Sequence, residues 1–289
     1  LPAALLEWQQ HLRFVADGAG ERESARAGTL INNLGYFLRL IADFDGAMAA
    51  FERALRIDEA AFGPEHPNVA IRVNNLGSLL KEVDNFPGAK AAYERALRID
   101  EAAYGPDHPE VATDVNNLGI VLIAEGDLPG AKAACERALR IDEGAYGPDH
   151  PRVAVRINNL GSVLEDEGDV PGAKAAYERA LRIDEAAYGP DHPKVAIRLN
   201  NLGGVLNAEG NLPGAKAAIE RALRIDEGAF GPDHPIVAIR LVNLGSLLLE
   251  EPDLPGAKAA FERALLIFER THGADHPHTL MVKDNLSNL

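Results

Sequence analysis

Apolar residues recur along the chain at helical spacing in two kinds of segment. In the first, called helix A, residues such as Val195, Leu199 and Leu202 fall on one side of a helix. In the second, called helix B, apolar and small residues run from Leu212 to about Phe230. Because a short polar stretch separates the two segments, the pattern predicts an antiparallel helical hairpin.

Residues at the segment ends support these boundaries. Asp191-His192-Pro193 precedes helix A and offers a capping side chain, with a proline in the first turn, where no backbone donor is needed. Gly210-Asn211 separates helix A from helix B. Gly231-Pro232 ends helix B, and we expect the glycine to adopt a left-handed C-terminal turn while the proline prevents continuation.

The hairpin is repeated with a period of 42 residues. Asn-Asn-Leu-Gly begins at Asn32, Asn74, Asn116, Asn158 and Asn200, and it degenerates to Val242-Asn243-Leu244-Gly245 and Asp284-Asn285-Leu286-Ser287. Gly-Pro-Asp/Glu-His-Pro recurs in step with it. Since neither helix can cover its apolar face alone, the hairpins must stack into an array.

The repeat predicts three regions. Residues 25–276 form six hairpin repeats, and residues 277–289 form a half repeat with a single helix. Residues 1–24 form a capping helix and a link, or alternatively the last helix of an upstream domain. The first residue is Leu1 rather than Met, so we expect the chain to be processed or cut from a longer protein.

Small residues mark where the two helices of a hairpin approach closely. Gly203 and Ala215 allow the contact, the larger Ile219 fills the space beyond it, and Ala222 follows three residues later. This order resembles the tetratricopeptide pattern across residues 25–289, in the 42-residue subtype of kinesin light chains and of the C-terminal arrays of bacterial NB-ARC-type signalling proteins. Two features depart from the usual pattern: the proline after helix B is replaced by a longer helix B that ends at Gly-Pro, and the tryptophan of helix A is replaced by aliphatic residues. The resemblance implies an all-α, right-handed superhelical solenoid.

The same resemblance implies that helix A lines a concave groove for a protein or extended peptide. The second asparagine of each phrase would then form a column that bonds a peptide backbone through donor and acceptor alike. This column comprises Asn33, Asn75, Asn117, Asn159, Asn201, Asn243 and Asn285. The first asparagines, Asn32, Asn74, Asn116, Asn158 and Asn200, flank it and either contact the partner or bond neighbouring repeats.

Further groove candidates differ between repeats, as specificity requires, although they could equally be solvated helix ends. They are Tyr36, Arg39, Ser78, Lys81, Ser162 and Asn207, with acidic residues in the fourth and sixth repeats that could orient a peptide. Arg72, Arg156, Arg198 and Arg240 recur one turn earlier, interrupted by Asp114. These arginines could grip carboxylates of a partner or bond an adjacent repeat.

Three features imitate chemical sites. Gly126 to Lys132 resembles a phosphate loop, but its glycine spacing is short and alanine follows the lysine. The repeated histidines stand before prolines at helix starts, which indicates capping rather than metal binding. Cys135 replaces a core aromatic residue and has no repeated base beside it. We therefore predict no catalytic residue, no metal and no cofactor.

Charge narrows the choice of partner. The formal net charge of −15 argues against nucleic acid or an anionic membrane as the partner. A single cysteine excludes an internal disulfide, and we expect a cytoplasmic protein. The favoured function is a protein-interaction scaffold, and the resemblance to NB-ARC-type arrays implies the sensor or assembly arm of a larger signalling protein. The alternative is a structural spacer, or a module that self-associates through its terminal helices.

Overall fold

The structure, a computed structural model, describes residues 25–289. The predicted cap and link at residues 1–24 lie outside this range. Residues 25–289 form thirteen α-helices without a strand, arranged as six A–B hairpins and a final helix A. Their bounds are α1 Ala25–Leu40, α2 Phe44–Phe62, α3 Pro67–Glu82, α4 Phe86–Tyr104, α5 Pro109–Ala124, α6 Leu128–Tyr146, α7 Pro151–Asp166, α8 Val170–Tyr188, α9 Pro193–Ala208, α10 Leu212–Phe230, α11 Pro235–Glu250, α12 Leu254–His272 and α13 Pro277–Ser287.

Each helix A after the first begins with a histidine cap. In α9, Nδ1 of His192 accepts a hydrogen bond from the Lys194 amide at 3.2 Å, and Pro193 occupies the first turn. Helix B begins with an aspartate or asparagine, as where Oδ1 of Asn211 accepts from the Gly214 amide at 3.1 Å. Side chains thus satisfy amides that a helix start would otherwise leave unpaired.

The glycine that ends helix B adopts a different conformation from the one predicted. Gly231 has φ +87° and ψ +156°, and Gly63, Gly105 and Gly189 are similar. A left-handed helical turn would have ψ near +45°, whereas this extended conformation at positive φ is essentially restricted to glycine. The prediction of a left-handed turn was therefore wrong, because the chain leaves helix B extended toward the next His-Pro cap.

The core lies between helices A and B, where a glycine on A faces a large side chain on B. A Cβ added to Gly161 would lie 2.7 Å from the Tyr177 ring, and one added to Gly203 would lie 2.7 Å from Ile219. Tyr177 is 1% exposed and Ile219 4% exposed. The glycine therefore sets how closely the two helices approach.

Gly161→Ala should destabilise the chain by about 1 to 3 kcal/mol, because the new methyl group overlaps the Tyr177 ring. Gly119→Ala is the matched control, since its Cβ would lie 3.2 Å from Sγ of the smaller Cys135. That control gains up to ~1 kcal/mol of helix propensity, which offsets the milder contact. Urea unfolding of both variants tests this pair of expectations, and an equal loss in both would contradict it.

The described residues divide into two compact units at the Ala145–Tyr146 bond. In the first unit, each hairpin packs on the next through buried residues such as Val69, Val111 and Ile141. In the second unit, one apolar cluster joins α8, α9 and α10, and another joins α11, α12 and α13. Each unit is a stack of hairpins with its core along the stack, so the predicted fold class, an all-α tetratricopeptide solenoid, is confirmed.

Candidate functional site

The asparagines of helix A bond one another from repeat to repeat. The second asparagine of one repeat donates through Nδ2 to Oδ1 of the first asparagine in the preceding repeat: Asn75 to Asn32 at 2.8 Å, Asn201 to Asn158 at 2.9 Å and Asn243 to Asn200 at 2.7 Å. We call these bonds the asparagine ladder. It fixes the spacing of successive helices A and explains why asparagine is tolerated inside these helices.

The ladder is interrupted between the second and third repeats. Asn74 donates its Nδ2 to Oδ1 of Asp114 instead of accepting from Asn117, and Oδ1 of Asn74 is buried without a partner. Among the described residues, the side-chain amide of Asn117 has no hydrogen-bond partner, and the residue is half-buried. The Asn117 amide therefore keeps both a donor and an acceptor available.

Other asparagines of the predicted column already make some of their possible hydrogen bonds within the chain. Both groups of the Asn75 side-chain amide are hydrogen-bonded. Its Nδ2 donates to Asn32, and its Oδ1 accepts from the Tyr36 hydroxyl at 2.6 Å. In residues 25–289 the structure shows no donor to Oδ1 of Asn201 or Asn243, and no partner for the exposed Asn33. Asn159 is half-buried, like Asn75, Asn201 and Asn243. The groups open to a partner are thus mainly acceptor oxygens, with complete amides at Asn33 and Asn117.

The arginine row bonds an adjacent repeat. Arg198 donates through Nε to Oδ2 of Asp184 at 2.9 Å, and the pair lies buried between α8 and α9. Arg240 with Asp226 and Arg72 with Asp58 repeat the arrangement at 2.9 Å and 2.7 Å. Of the two alternatives left open by the sequence, the structure selects bonding to a neighbouring repeat for these three arginines.

The third repeat lacks this ion pair. Asp114 stands where the other repeats have arginine, and it faces Asp100 of α4. Both carboxyl groups are buried, at 0% and 4% exposed. Burial is the main cause that raises the pKa of Asp114 to about 8 and that of Asp100 to about 6, and the neighbouring carboxylate adds to the rise at Asp114. Both carboxyl groups therefore keep their protons to a higher pH than a free aspartate does.

Several of the remaining predicted residues bond within the array. Nε of Arg39 pairs with the carboxylate of Glu82, and Nδ2 of Asn207 donates to Glu250 at 2.9 Å. Ser78 is hydrogen-bonded to the hydroxyl of the core Tyr93 at 3.1 Å. Lys81 and Ser162 are half-buried on α3 and α7. The Arg39–Glu82 pair thus offsets one of the basic side chains, Arg39 and Lys81, of the first two repeats.

The repeated histidines serve as caps and as stacking partners. Tyr188 stacks on His192 with ring centroids 4.7 Å apart, while Nδ1 of the same histidine caps α9. Within residues 25–289 no group of three His, Cys, Asp or Glu residues is arranged to hold a metal ion, and Cys135 is buried. None of the helices described is long and apolar enough to cross a membrane.

Sequence reasoning missed two features of this face. One is the Asp100–Asp114 pair, although the change from arginine to aspartate at position 114 signals a different contact. The other is a cavity of about 240 Å³ beside Gly204 in the fifth repeat. Its signal is the loss of a side chain at a position that carries tyrosine, serine or isoleucine in other repeats.

Comparison with known proteins identifies the class. The tetratricopeptide repeat profile matches residues 26–102, 70–129, 112–186, 154–227 and 197–255, and a second tetratricopeptide profile matches residues 237–278. The chain therefore belongs to the tetratricopeptide repeat family. Such repeats form protein-interaction scaffolds in general, and this chain is a scaffold of that class.

Solved structures show the same fold. BtubC (BKLC) from P. vanneervenii is 22% identical, with a TM-score of 0.66 over 81% of this chain and 94% of that one. A Podospora anserina putative kinesin light chain with nearly identical TPR-like repeats is 18% identical, with a TM-score of 0.60 over 71% of this chain and 97% of that one. Pseudomonas aeruginosa pilF is 18% identical, with a TM-score of 0.54 over 93% and 99%. A search of functionally curated proteins found no match.

Proposed function

We propose that the chain holds an extended segment of a partner protein along the face that carries the asparagine ladder. The observation that supports this most is the set of unused amide groups on helix A, above all Asn117, in a column where comparable amides are bonded. An amide that both donates and accepts can hold a peptide backbone without regard to its side chains. Half-buried polar groups that lack partners favour a ligand that supplies them.

The partner segment should be basic or neutral. The chain has a formal net charge of −15, and Glu165 and Asp166 are exposed at the end of α7. An acidic face attracts cationic segments and repels nucleic acid and anionic membranes. We further propose, from the resemblance to arrays of NB-ARC-type proteins, that the scaffold is the sensor or assembly arm of a larger cytoplasmic signalling protein. No catalytic role is included in this proposal.

Peptide selection tests the site. Peptides of 15 residues selected from a random displayed library against the wild-type chain should bind Asn117→Ala about tenfold more weakly, because a hydrogen bond with a half-buried amide is lost. Arg140→Ala, an exposed position on helix B, should leave binding unchanged. Fluorescence anisotropy measures both. If the Arg140 variant weakens peptide binding and the Asn117 variant does not, the site lies on helix B rather than on the asparagine ladder.

The alternative function, a spacer or self-associating module, is favoured by the terminal helix. Leu280 and Met281 of α13 are 51% and 44% exposed. If this face mediates self-association, light scattering should show a mass that rises with concentration, and Leu280→Lys should abolish the rise. A constant monomer mass would exclude self-association in the range measured.

A further inference from the structure

We propose that the cavity beside Gly204 binds a tyrosine side chain of the partner segment, with the tyrosine hydroxyl donating a hydrogen bond to Oδ1 of Asn243. This inference rests on the proposed function and specifies one side chain that the scaffold recognises. The chain itself provides the template for the bound ring, because the first repeat carries a tyrosine, Tyr36, at the position equivalent to Gly204.

Tyr36 shows how a phenol ring is held on this face. Its ring packs edge-on against Phe51, with centroids 5.4 Å apart, and its hydroxyl donates to Oδ1 of Asn75 at 2.6 Å. Asn75 in turn donates to Asn32 in the ladder. The ring is therefore held by one apolar wall and one amide acceptor.

The fifth repeat has an equivalent arrangement without the ring, with Ile219 in place of Phe51 and Asn207 in place of Arg39. Positions 32, 39, 51, 75 and 82 around Tyr36 correspond to positions 200, 207, 219, 243 and 250 around Gly204. The cavity is lined by Asn200, Asn207, Ile219, Asn243, Leu247 and Glu250. Asn243 donates to Asn200 at 2.7 Å, as Asn75 does to Asn32, so its Oδ1 is oriented as an acceptor. Asn207 donates to Glu250 where Arg39 pairs with Glu82.

The size and polarity of the cavity fit one aromatic side chain. Its volume of about 240 Å³ is below the roughly 300 to 1,000 Å³ typical of small-molecule pockets. Ile219 and Leu247 supply an apolar wall, and Oδ1 of Asn207 is a buried acceptor without a donor. A phenylalanine would fill the space but leave Oδ1 of Asn243 unpaired, so the hydroxyl of tyrosine is favoured.

The rim of the cavity is acidic. A Cβ at Gly204 would lie 3.7 Å from Oε1 of Glu165, and Glu250 also lines the cavity. Glu165 and Glu250 are both exposed. The partner segment should therefore carry lysine or arginine beside its tyrosine.

The test uses acetyl-Lys-Tyr-Lys-amide and acetyl-Lys-Phe-Lys-amide as probes of the full chain. Nuclear magnetic resonance titration should show the tyrosine probe shifting the Gly204 backbone amide and the Asn243 side-chain amide, with about tenfold tighter binding than the phenylalanine probe. Gly204→Tyr should abolish these shifts, because we expect the hydroxyl of the new ring to bond Oδ1 of Asn243 as Tyr36 bonds Asn75. The substitution fits, since a Cβ at Gly204 has no closer neighbour than 3.7 Å.

Tyr36→Gly supplies the converse variant, which should acquire a second site for the tyrosine probe at Asn75. Circular dichroism checks that both variants remain helical. Equal binding of the two probes, or shifts that persist in Gly204→Tyr, would overturn the inference. If selected peptides lose affinity with Asn117→Ala but not with Gly204→Tyr, the cavity inference fails while the proposed function stands. If the tyrosine probe binds the cavity but the selected peptides bind Asn117→Ala as tightly as the wild-type chain, the proposed function fails instead.

Discussion

Replacing Arg198 with methionine should destabilise the second unit by about 3 to 5 kcal/mol, because it leaves the carboxylate of Asp184 buried without its cation. Arg198 is 5% exposed and Asp184 is fully buried, so water cannot replace the lost hydrogen bonds without opening the contact between α8 and α9. Urea unfolding followed by circular dichroism gives the loss. Since the repeats are coupled through their neighbours, unfolding should spread beyond the fifth repeat.

Two controls make this result specific. The double variant Arg198→Met with Asp184→Leu removes both charges, and it should recover most of the lost stability because apolar groups then fill the site. Arg270→Met breaks the surface ion pair between Arg270, 64% exposed, and Asp233, 61% exposed. This substitution should change stability little, because exposed ion pairs contribute little. Equal losses for Arg198→Met and Arg270→Met would show that burial of the aspartate is not the cause.

Replacing Asp114 with arginine should stabilise the first unit at pH 8 and have little effect at pH 4. The pKa of Asp114 is about 8 in the folded chain and that of Asp100 about 6, against about 3.9 for an unfolded aspartate. Between pH 4 and 8 the folded chain therefore binds more protons than the unfolded chain. The unfolding free energy falls as pH rises through this window, by up to ~1.4 kcal/mol per pH unit for each proton.

Asp114→Arg replaces the acid pair with the ion pair seen between Arg72 and Asp58, so this pH dependence should disappear. We expect a gain of about 2 to 4 kcal/mol at pH 8. The charges that face the pair are Glu110, which raises both pKa values, and His108, which lowers the pKa of Asp100. Unfolding of wild type and variant from pH 4 to 9 measures the difference, and parallel curves would contradict the raised pKa values of the pair.

The same position 114 links stability to the binding face. Asn74 bonds Asp114, and Asn117 is thereby left outside the ladder. With arginine at position 114, we expect Asn74 to accept from Asn117, as Asn158 accepts from Asn201. Asp114→Arg should then weaken the selected peptides about as much as Asn117→Ala does. Anisotropy titrations at pH 7 compare the two variants. Unchanged affinity in Asp114→Arg would show that the acid pair does not affect peptide binding.

Sequence by itself determined the helices, their ends and the repeat. Helix B of the fifth repeat was predicted from Leu212 to about Phe230, and the structure places α10 at Leu212–Phe230. The prediction succeeded because apolar spacing, capping side chains and Gly-Pro stops act within one segment, so they can be read without knowing the neighbours. The same periodicity showed that the hairpins must stack.

Only the tertiary structure decided which side chains meet across the stacked helices. Asp100 and Asp114 are buried together, Arg198 reaches Asp184, and the space beside Gly204 stays open above Asn243. A periodic pattern places a residue on one side of its own helix, but its partner depends on how far the next helix lies and at what angle it crosses. For this reason the asparagine column was visible in the sequence, while the division of its amides between ladder bonds and open groups was not.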